Sequence, residues 1–300
     1  MTASPYQVLL YYKYTHIPNP EDLRKRQMDL AKNLGLKGRV LISGEGINGT
    51  LEGLVENIDV YCNSLIKESG FEDIHLKKSS SDGDSFPKLS VKVRDEIVSS
   101  HIRNIPLDPT KITGKHIKAE TLHEWIHSDK EFYIVDMRND YEQTVGYFKN
   151  SILSQFTNFR DLPEIISKID HLKNKTIVTV CTGGVRCEKA SGFLLEHGFN
   201  DVYQLYGGIV TYMEKYPNQD FLGKLYVFDK RIVMGFNIED VNHTKVGKCA
   251  KCENTSENFV NCSNLDCHKH FICCVDCSEN DGNAFCDLNC KNHFIQKLAV

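Results

Sequence analysis

Cysteine is distributed very unevenly along this chain of 300 residues. Three of its 12 cysteines precede residue 249, and the rest fall in four ligand pairs within CAKC (249–252), CSNLDC (262–267), CVDC (274–277) and CDLNC (286–290), with one spare, Cys273. The N-terminus lacks the basic start and apolar core of a secretory signal, and no apolar run reaches the length of a membrane span, so we expect a cytoplasmic protein. Disulfides are rare in that compartment, and the spacing therefore indicates metal binding.

Eight thiolates suit two tetrahedral zinc ions, each fully ligated and therefore structural. The pairs could hold the ions in sequential or in cross-braced order. Their alternation favours the cross-braced order, with one ion on Cys249, Cys252, Cys274 and Cys277 and the other on Cys262, Cys267, Cys286 and Cys290. His268, His270 or His293 could replace a cysteine, and an iron–sulfur cluster is an alternative.

The central segment, 116–217, alternates helical and apolar strand patterns. Strands are predicted at 132–138, 175–180 and 202–207, and helices at 120–128, 162–172, 186–197 and 208–215. Continuous apolar strands separated by helices predict a parallel sheet that is covered on both faces.

The first segment, 1–105, has the order β-α-β-β-α-β, which predicts a ferredoxin-like, acylphosphatase-like fold. Its GEGING stretch (44–49) matches G-x-G-x-x-G, but the chain continues as a strand, so a hairpin turn is favoured over a dinucleotide site. A linker follows at 104–115, and the third segment, 218–300, joins a predicted hairpin at 223–236 to the cysteine-rich tail. The expected class is a multidomain α/β and α+β protein.

The stretch VTVCTGGVRCEKAS (178–191) ends a predicted strand on Cys181. Ligands gather at the carboxyl ends of strands in open α/β sheets. The loop Thr182, Gly183, Gly184 and Val185 can form an anion-binding nest, and the helix that begins near Arg186 adds positive charge. These features lower a cysteine pKa and predict a thiolate nucleophile, with Cys181 and Arg186 as catalytic residues. The alternative is a small apolar residue that ends a buried strand.

Two further interpretations concern the same stretch. Cysteine phosphatases carry Cys-x5-Arg, whereas four residues separate Cys181 from Arg186, and the shorter loop favours a smaller anion such as sulfur. Cys187 could be a resolving or sulfur-accepting thiol, a disulfide partner of Cys181, or a buried cysteine at the helix start.

The loop, together with IVDMRNDYEQTVGYFKNSI (134–152) and GFNDVYQLYGGIVTY (198–212), resembles the rhodanese domain of sulfurtransferases. The resemblance implies a persulfide on Cys181 that is cradled by the loop amides. It also implies that Asp136 and Arg138 brace the active-site side of the sheet.

A closer resemblance rests on GEGINGT (44–50), CTGGVRCEKASGFL (181–194) and GKLYVFDKRIVMGF (223–236) together. This combination is similar to the bacterial rhodanese-containing tRNA uridine hydroxylase family. It implies oxygen-dependent hydroxylation of the wobble uridine at carbon 5, with tRNA as substrate, molecular oxygen as cosubstrate and Cys181 as the essential residue. The alternatives are a sulfurtransferase that carries a Cys181 persulfide and a non-catalytic, zinc-stabilised RNA or protein adaptor.

Charge adds little evidence for RNA binding. Apolar residues make up 41% and charged residues 25%, as in a soluble globular protein, and the formal charge of −4 provides no bulk attraction to nucleic acid or membrane. Basic side chains of the first segment could form a local face that contacts phosphates, and the alternative is an ordinary solvated surface. The residues that could form the phosphate-contacting face are Arg24, Lys25, Arg26, Lys77, Lys78, Lys88, Lys92 and Arg94.

Overall fold

The computed structural model describes residues 4–102, 107–267, 269–279 and 284–298. Residues 104–106 of the predicted linker and His268, a candidate zinc ligand, lie outside these ranges. Within them, no helix combines the length and the apolar character needed to cross a membrane.

The N-terminal part of the chain is a five-stranded sheet with two helices. Its elements are β1 (Tyr6–Tyr14), α1 (Pro20–Asn33), β2 (Lys37–Ser43), β3 (Gly46–Leu54), α2 (Val55–Leu65), β4 (His75–Ser81) and β5 (Leu89–Val93). The strand order is β4-β1-β3-β2-β5. The first four strands pair antiparallel, as a ferredoxin-like fold requires, and β5 joins the edge parallel to β2. The predicted fold of this part is confirmed, with one added strand.

Local sequence signals explain the elements of this sheet. Helix α1 begins after Asn19, whose side chain accepts from the N–H of Asp22, and Pro20 occupies the first turn, where its missing N–H costs nothing. Strands β2 and β3 are joined by a tight hairpin within GEGING. The glycine motif therefore forms a turn, as predicted, and not a dinucleotide site.

Both faces of β1 are covered. Leu9 and Tyr11 point into the core formed with α1 and α2. Leu10 and Tyr12, on the opposite face, pack against the central part of the chain. The N-terminal sheet therefore lies between its own helices and the central domain.

The central part is a five-stranded parallel sheet in the order β6-β11-β10-β7-β9. Helices on one side pack in a cluster around Leu122 and Ile209, and those on the other side around Ile165 and Phe193. The predicted parallel sheet with two covered faces is confirmed. Its elements are β6 (Lys115–Ile117), α3 (Ala119–Ile126), β7 (Tyr133–Asp136), α4 (Asp140–Gln143), β8 (Gly146–Phe148), β9 (Ile152–Leu153), α5 (Ile165–Ile169), β10 (Thr176–Val180), α6 (Val185–Glu196), β11 (Asp201–Leu205) and α7 (Gly208–Lys215).

The single helix predicted at 162–172 is wrong in detail. The structure has a 3-10 turn at Phe159–Glu164, the short helix α5, and a second 3-10 turn at Asp170–Leu172. Pro163 lies within the first 3-10 turn, at a position where a helix tolerates a missing N–H, and the chain leaves the α-helix at Ile169, where there is no proline.

The C-terminal part is attached to the central part by a separate two-stranded sheet. Its elements are β12 (Phe221–Gly223), β13 (Leu225–Tyr226), β14 (Val233–Met234), β15 (Phe259–Asn261), β16 (His270–Ile272), α8 (Val275–Glu279) and α9 (Leu288–Leu298). Strand β12 pairs with β8, and β13 pairs with β14 as the hairpin predicted at 223–236. A small cluster that includes Val145 and Phe259 then packs the tail against the central part.

Candidate active site

The loop after β10 places Cys181 at the carboxyl edge of the central sheet. Its Sγ accepts a hydrogen bond from the backbone N–H of Gly184 at 3.2 Å. Gly184 has a φ of 103°, a conformation that glycine adopts without a Cβ clash, and α6 begins at the next residue. Two N–H groups at the start of α7 donate to the carbonyls of Cys181 and Thr182 at 2.9 and 3.1 Å. The loop is thus held from both sides.

Strand β1 lies directly over the glycines of this loop. A Cβ on Gly183 would come within 2.6 Å of Leu10, and a Cβ on Gly184 within 2.7 Å of the Tyr12 hydroxyl. Both distances are below 3.0 Å, closer than real Cβ contacts. The two glycines therefore serve the docking of the N-terminal sheet as well as the turn itself.

The surroundings of Cys181 favour its thiolate. Burial raises the pKa of this thiol, but the hydrogen bond from the Cys187 thiol, the charge of Arg186 and the N–H of Gly184 outweigh burial and lower the pKa to about 6. Burial and the neighbouring Cys181 raise the pKa of Cys187 well above its ordinary value, so Cys187 stays protonated. Both are free, fully buried cysteines. Cys181 is therefore a thiolate that accepts a hydrogen bond from the Cys187 thiol, and the two residues are not joined by a disulfide.

Arg186 is bound to Glu142 within the protein. Its Nη2 donates to Oε2 of Glu142 at 2.7 Å, and Nη1 donates to Oε1. The hydroxyl of Thr182 lies 3.2 Å from each partner. Burial raises the pKa of Glu142, but the Arg186 charge holds it below its usual value. Arg186 therefore fixes the shape of the loop while its charge acts on Cys181.

A second buried ion pair supports the segment that carries Glu142. Nη2 of Arg138 lies 2.6 Å from Oδ2 of Asp136, and both side chains are fully buried. Arg138 also donates to the carbonyl of Gly146 at 2.7 Å. The pair therefore ties the end of β7 to the start of β8.

A cleft of about 270 Å³ opens over the Cys181 loop. One wall is the loop itself. Phe228, in the turn between β13 and β14, closes another side. The opposite wall is the face of the N-terminal sheet formed by Leu10, Tyr12, Arg39, Leu41, Asn48 and Thr50. Pockets for drug-sized ligands measure roughly 300–1,000 Å³, so this cleft suits a smaller group.

The structure brings the tail cysteines together in two groups. Within each group the sulfur atoms lie within 4.8 Å of one another, and all eight cysteines are free. Separations of 3.6 Å between Cys252 and Cys274 and 3.5 Å between Cys286 and Cys290 approach the ~3.8 Å edge of a tetrahedron with 2.3 Å zinc–sulfur bonds. The groups are Cys249, Cys252, Cys274, Cys277 and Cys262, Cys267, Cys286, Cys290. Each has the donors and the spacing for one metal ion.

Two histidines considered as replacement ligands make other contacts. His270 lies 3.1 Å from the Tyr226 hydroxyl, and His293 lies 3.3 Å from the Asn264 amide. Neither belongs to a cysteine group in the part of the chain that the structure describes. Among the described residues, the fit to metal therefore rests on cysteine.

A third cluster was not predicted from the sequence. Asp220 lies 3.0 Å from Nδ1 of His123 and 3.4 Å from Nε2 of His127, and it accepts a hydrogen bond from Tyr212. His123 also stacks on Tyr216 with the ring centroids 3.9 Å apart. Because hydroxyl and imidazole groups already engage the carboxylate, we interpret the cluster as a tie between α3, α7 and β12.

Comparison with known proteins follows the same division of the chain. The family model described as UPF0176 acylphosphatase like domain matches residues 6–97, the Rhodanese-like domain matches 118–215, and the Rhodanase C-terminal model matches 222–291. Among solved structures, a rhodanese-like domain protein from Staphylococcus aureus is 29% identical, with a TM-score of 0.29 over 33% of this chain and 90% of that one.

Full-length relatives decide the family. The tRNA uridine(34) hydroxylase of Cytophaga hutchinsonii is 43% identical over 288 residues, which cover 96% of this chain and 90% of the relative. The protein of the same name from Bacillus licheniformis is 42% identical over 294 residues, which cover 96% and 89%. The chain belongs to the tRNA uridine(34) hydroxylase family. The resemblance inferred from the sequence is confirmed.

Several residues of this hydroxylase-family site were not predicted from the sequence. Glu142 stands in the Glu-x-x-x-Gly pattern, but nothing in the sequence paired it with Arg186. The sheet wall of the cleft was also missed. A signal was present in β1, where apolar residues are continuous and do not alternate, as in a strand covered on both faces.

The basic side chains that were predicted to form one phosphate-contacting face do not all lie on one surface. Lys77 and Lys78 lie on β4, and Lys92 lies on β5, at opposite edges of the sheet. Several candidates are also neutralised, since Arg26 pairs with Glu68, and Arg24, Lys77 and Lys78 are likewise ion-paired. Sequence proximity could not show this, because it does not reveal which sheet edge a strand occupies.

Proposed function

We propose that this chain hydroxylates the wobble uridine of tRNA at carbon 5, in an oxygen-dependent reaction with Cys181 as the nucleophile. The observation that carries the proposal is a thiolate with a pKa of about 6 that faces a cleft of small volume. Relatives 43% and 42% identical over 96% of the chain carry the name of this activity. The acidic thiol at the cleft and the names of the relatives therefore support the same proposed reaction.

A thiolate can activate carbon 5 of uracil by adding to carbon 6. The addition forms a sulfur–carbon bond and leaves an enolate that is electron-rich at carbon 5. This enolate passes one electron to oxygen, and the carbon 5 radical and superoxide then combine to form a carbon–oxygen bond and, after protonation, a hydroperoxide. Loss of the carbon 5 proton and release of the thiolate restore the ring. One oxygen atom ends on carbon 5 and the other leaves as water, with two electrons and two protons supplied by two thiols of a reductant, which become one disulfide. Cys181 is regenerated unchanged.

The other predicted site residues take supporting parts in this proposal. The N–H groups and helix start of the Thr182–Val185 loop stabilise the thiolate, and Arg186 adds its charge. Cys187 acts as a hydrogen-bond donor to the sulfur. Asp136 and Arg138 position the segment that holds Glu142.

Nucleoside analysis of tRNA from a deletion strain tests the proposal. Complementation with the wild type should restore 5-hydroxyuridine-type nucleosides, and Cys181→Ala should not. Cys62→Ala is the matched control, because Cys62 is a buried cysteine in the N-terminal core and should restore the product. Unchanged nucleosides on deletion would refute the hydroxylase function.

A persulfide-carrying sulfurtransferase is the second candidate. The N–H of Gly184 that points at Sγ of Cys181 favours it, since such a loop also stabilises a bound sulfur. Thiocyanate formation from thiosulfate and cyanide measures this activity directly. The sulfurtransferase function would replace the hydroxylase function if two results were found together. The wild type would form thiocyanate and Cys181→Ala would not, and deletion of the gene would leave the tRNA nucleosides unchanged.

We also propose zinc as the metal of both cysteine groups, and a cytoplasmic location. Thiolate ligands and near-tetrahedral spacing support a structural role for zinc. The proposed domain division remains 1–105, 116–217 and 218–300. The two separate five-stranded sheets support the first boundary, and the pairing of β8 with β12 joins the second and third parts across the other.

A further inference from the structure

Two histidines and an aspartate converge where the central and C-terminal parts of the chain join. His123 lies in the last turn of α3, and His127 directly follows the end of that helix. Asp220 precedes β12, the first strand of the C-terminal part. The nitrogen and oxygen atoms that these side chains offer lie within 4.8 Å of one another. None of the three residues lines the cleft over Cys181, so the cluster is separate from the candidate active site.

The backbone fixes the position of the ring proton of His127. Its Nδ1 lies 2.8 Å from the carbonyl oxygen of His123. A carbonyl oxygen only accepts hydrogen bonds, so Nδ1 carries the proton, and in the neutral ring Nε2 carries the lone pair. Histidines that bind metals are commonly oriented in this way, by a hydrogen bond from the other ring nitrogen to a backbone carbonyl. His127 therefore presents a nitrogen that is set to act as a ligand.

The lone pair of His127 faces a carboxylate oxygen. Its Nε2 lies 3.4 Å from Oδ1 of Asp220. A charged imidazolium ring would bond to a carboxylate at roughly 2.7–2.9 Å, and ordinary N–H···O bonds extend to about 3.2 Å. Two ligand atoms that each lie about 2.05 Å from a tetrahedral zinc ion are about 3.3 Å apart. The observed separation therefore matches two ligands of one metal ion better than it matches a hydrogen bond.

Neighbouring side chains hold the other two ligands in place. The ring of His123 stacks on Tyr216 with the planes 6° apart, and its Nδ1 lies 3.0 Å from Oδ2 of Asp220. Tyr212 donates a hydrogen bond to the same Oδ2. No lysine or arginine pairs with Asp220 in the part of the chain that the structure describes. The tie between α3, α7 and β12 thus leaves one oxygen of the carboxylate open to a cation.

We propose that His123, His127 and Asp220 bind a third metal ion, and that this ion is zinc. The ligands are Nδ1 of His123, Nε2 of His127 and a carboxylate oxygen, and His123 then carries its ring proton on Nε2. The side chain of His127 is 53% exposed, so water completes the coordination. Imidazole ligands suit zinc and related transition metals rather than magnesium or calcium, and zinc binds such sites more tightly than iron(II) does.

The third ion differs in kind from the ions of the two cysteine groups. Each cysteine group offers four thiolates and closes around its ion, whereas the third site offers three ligands and stays open to water. The third ion therefore exchanges readily, and a mild chelator removes it while the cysteine-bound ions stay in place. When it is bound, it links α3 to the segment before β12, where the chain enters the C-terminal part.

Isothermal titration calorimetry with zinc chloride tests the inference. The full chain is first dialysed against a mild chelator, and metal analysis verifies that its two cysteine-bound ions remain. The wild type should then take up one further ion. His127→Ala should weaken this binding by more than about 100-fold, beyond the loss of about 10–100-fold that follows removal of a residue that only orients a ligand. Asp220→Asn, which removes the charge and keeps the shape, should weaken it by at least about tenfold.

His197→Ala is the matched control. His197 also follows the end of a helix, α6, and its Nδ1 lies 2.8 Å from the carbonyl oxygen of Phe193, four positions earlier. It belongs to no group of metal-ligating residues within the described ranges. This variant should bind the third ion as the wild type does, which separates a built site from general binding to imidazole rings.

Cobalt(II) reports which atoms bind the third ion. Cobalt bound by nitrogen and oxygen shows weak visible bands, whereas cobalt bound by thiolate adds an intense sulfur-to-metal band. One equivalent of cobalt added to the dialysed wild type should give only the weak bands. An intense sulfur band would place the ion on cysteine, such as the Cys181 and Cys187 pair, and would overturn the assignment.

The remaining outcomes decide the inference without reference to the hydroxylase reaction. A wild type that takes up no further ion would refute the site, as would equal binding by the wild type, His127→Ala and Asp220→Asn. Iron(II), added without oxygen, should bind at least about tenfold more weakly than zinc, and tighter binding of iron would overturn the choice of metal. If circular dichroism shows that Asp220→Asn fails to fold, His127→Ala decides, because its side chain is exposed.

Discussion

Replacing Cys187 by alanine removes the thiol that donates to the Cys181 sulfur, and we expect the pKa of Cys181 to rise. Among the interactions that lower this pKa, the hydrogen bond from Cys187 is the largest, ahead of the Arg186 charge and the loop N–H groups. Alanine leaves the rest of the loop in place, because the Cys187 side chain is small and fully buried at the first turn of α6.

The expected rise is roughly one to two pH units. A hydrogen bond to a charged group contributes about 1.5–3 kcal/mol, and one pKa unit corresponds to about 1.4 kcal/mol. The total lowering, from 9.0 to about 6, corresponds to ~4 kcal/mol, so the remaining interactions should still hold the thiol below its ordinary value. The variant should therefore lose thiolate at neutral pH without losing it entirely.

The assay is the pH dependence of alkylation by a small reagent, read by mass spectrometry on the peptide that contains Cys181. Cys187→Ser supplies a hydroxyl donor at the same place and is the matched control, with a midpoint close to that of the wild type. A Cys187→Ala midpoint that coincides with the wild type would contradict the hydrogen-bond explanation. Equal shifts in the alanine and serine variants would show that packing, and not donation, sets the pKa.

Three further perturbations test other parts of the site. Glu142→Gln leaves the buried Arg186 guanidinium without its carboxylate partner and should lower the free energy of unfolding, measured by urea titration, by about 3–5 kcal/mol. A loss below about 1 kcal/mol would mean that the ion pair does not hold the loop. Gly183→Ala places a Cβ against Leu10 and should cost roughly 1–3 kcal/mol, whereas Gly44→Ala, with no atom within 4 Å of the added Cβ, should change stability by less than about 0.5 kcal/mol; equal effects would argue against close docking. Metal analysis should find two zinc ions per chain, and Cys262→Ser should release one and keep the other, while loss of both or of neither would contradict two separate groups.

Features encoded within short stretches were predictable from the sequence. The strand, loop and helix around Cys181 follow from an apolar run, two glycines and a helix-forming segment that are contiguous. The cross-braced order of the tail cysteines follows from their alternation. The division of the helix predicted at 162–172 is the exception, because no proline or glycine marks the point at Ile169 where α5 ends.

Features that join distant parts of the chain were not predictable in the same way. The cleft depends on which face of the N-terminal sheet meets the loop, and the contact between Tyr12 and Glu188 spans 176 positions. Local periodicity specifies the elements, but it does not specify the partners of their exposed faces.

The docking of β1 over the Cys181 loop has a consequence for refolding. The loop belongs to a local strand–helix unit, whereas its cover comes from residues far away in the sequence, and contacts of such long range close slowly. During synthesis the covering strand is made before the loop, but in a chain that refolds from the unfolded state both must find each other. Accessible thiolates are the cysteines most readily converted to sulfenic acid. We therefore expect peroxide to oxidise more Cys181 when it is present during refolding than when it is added to the folded protein.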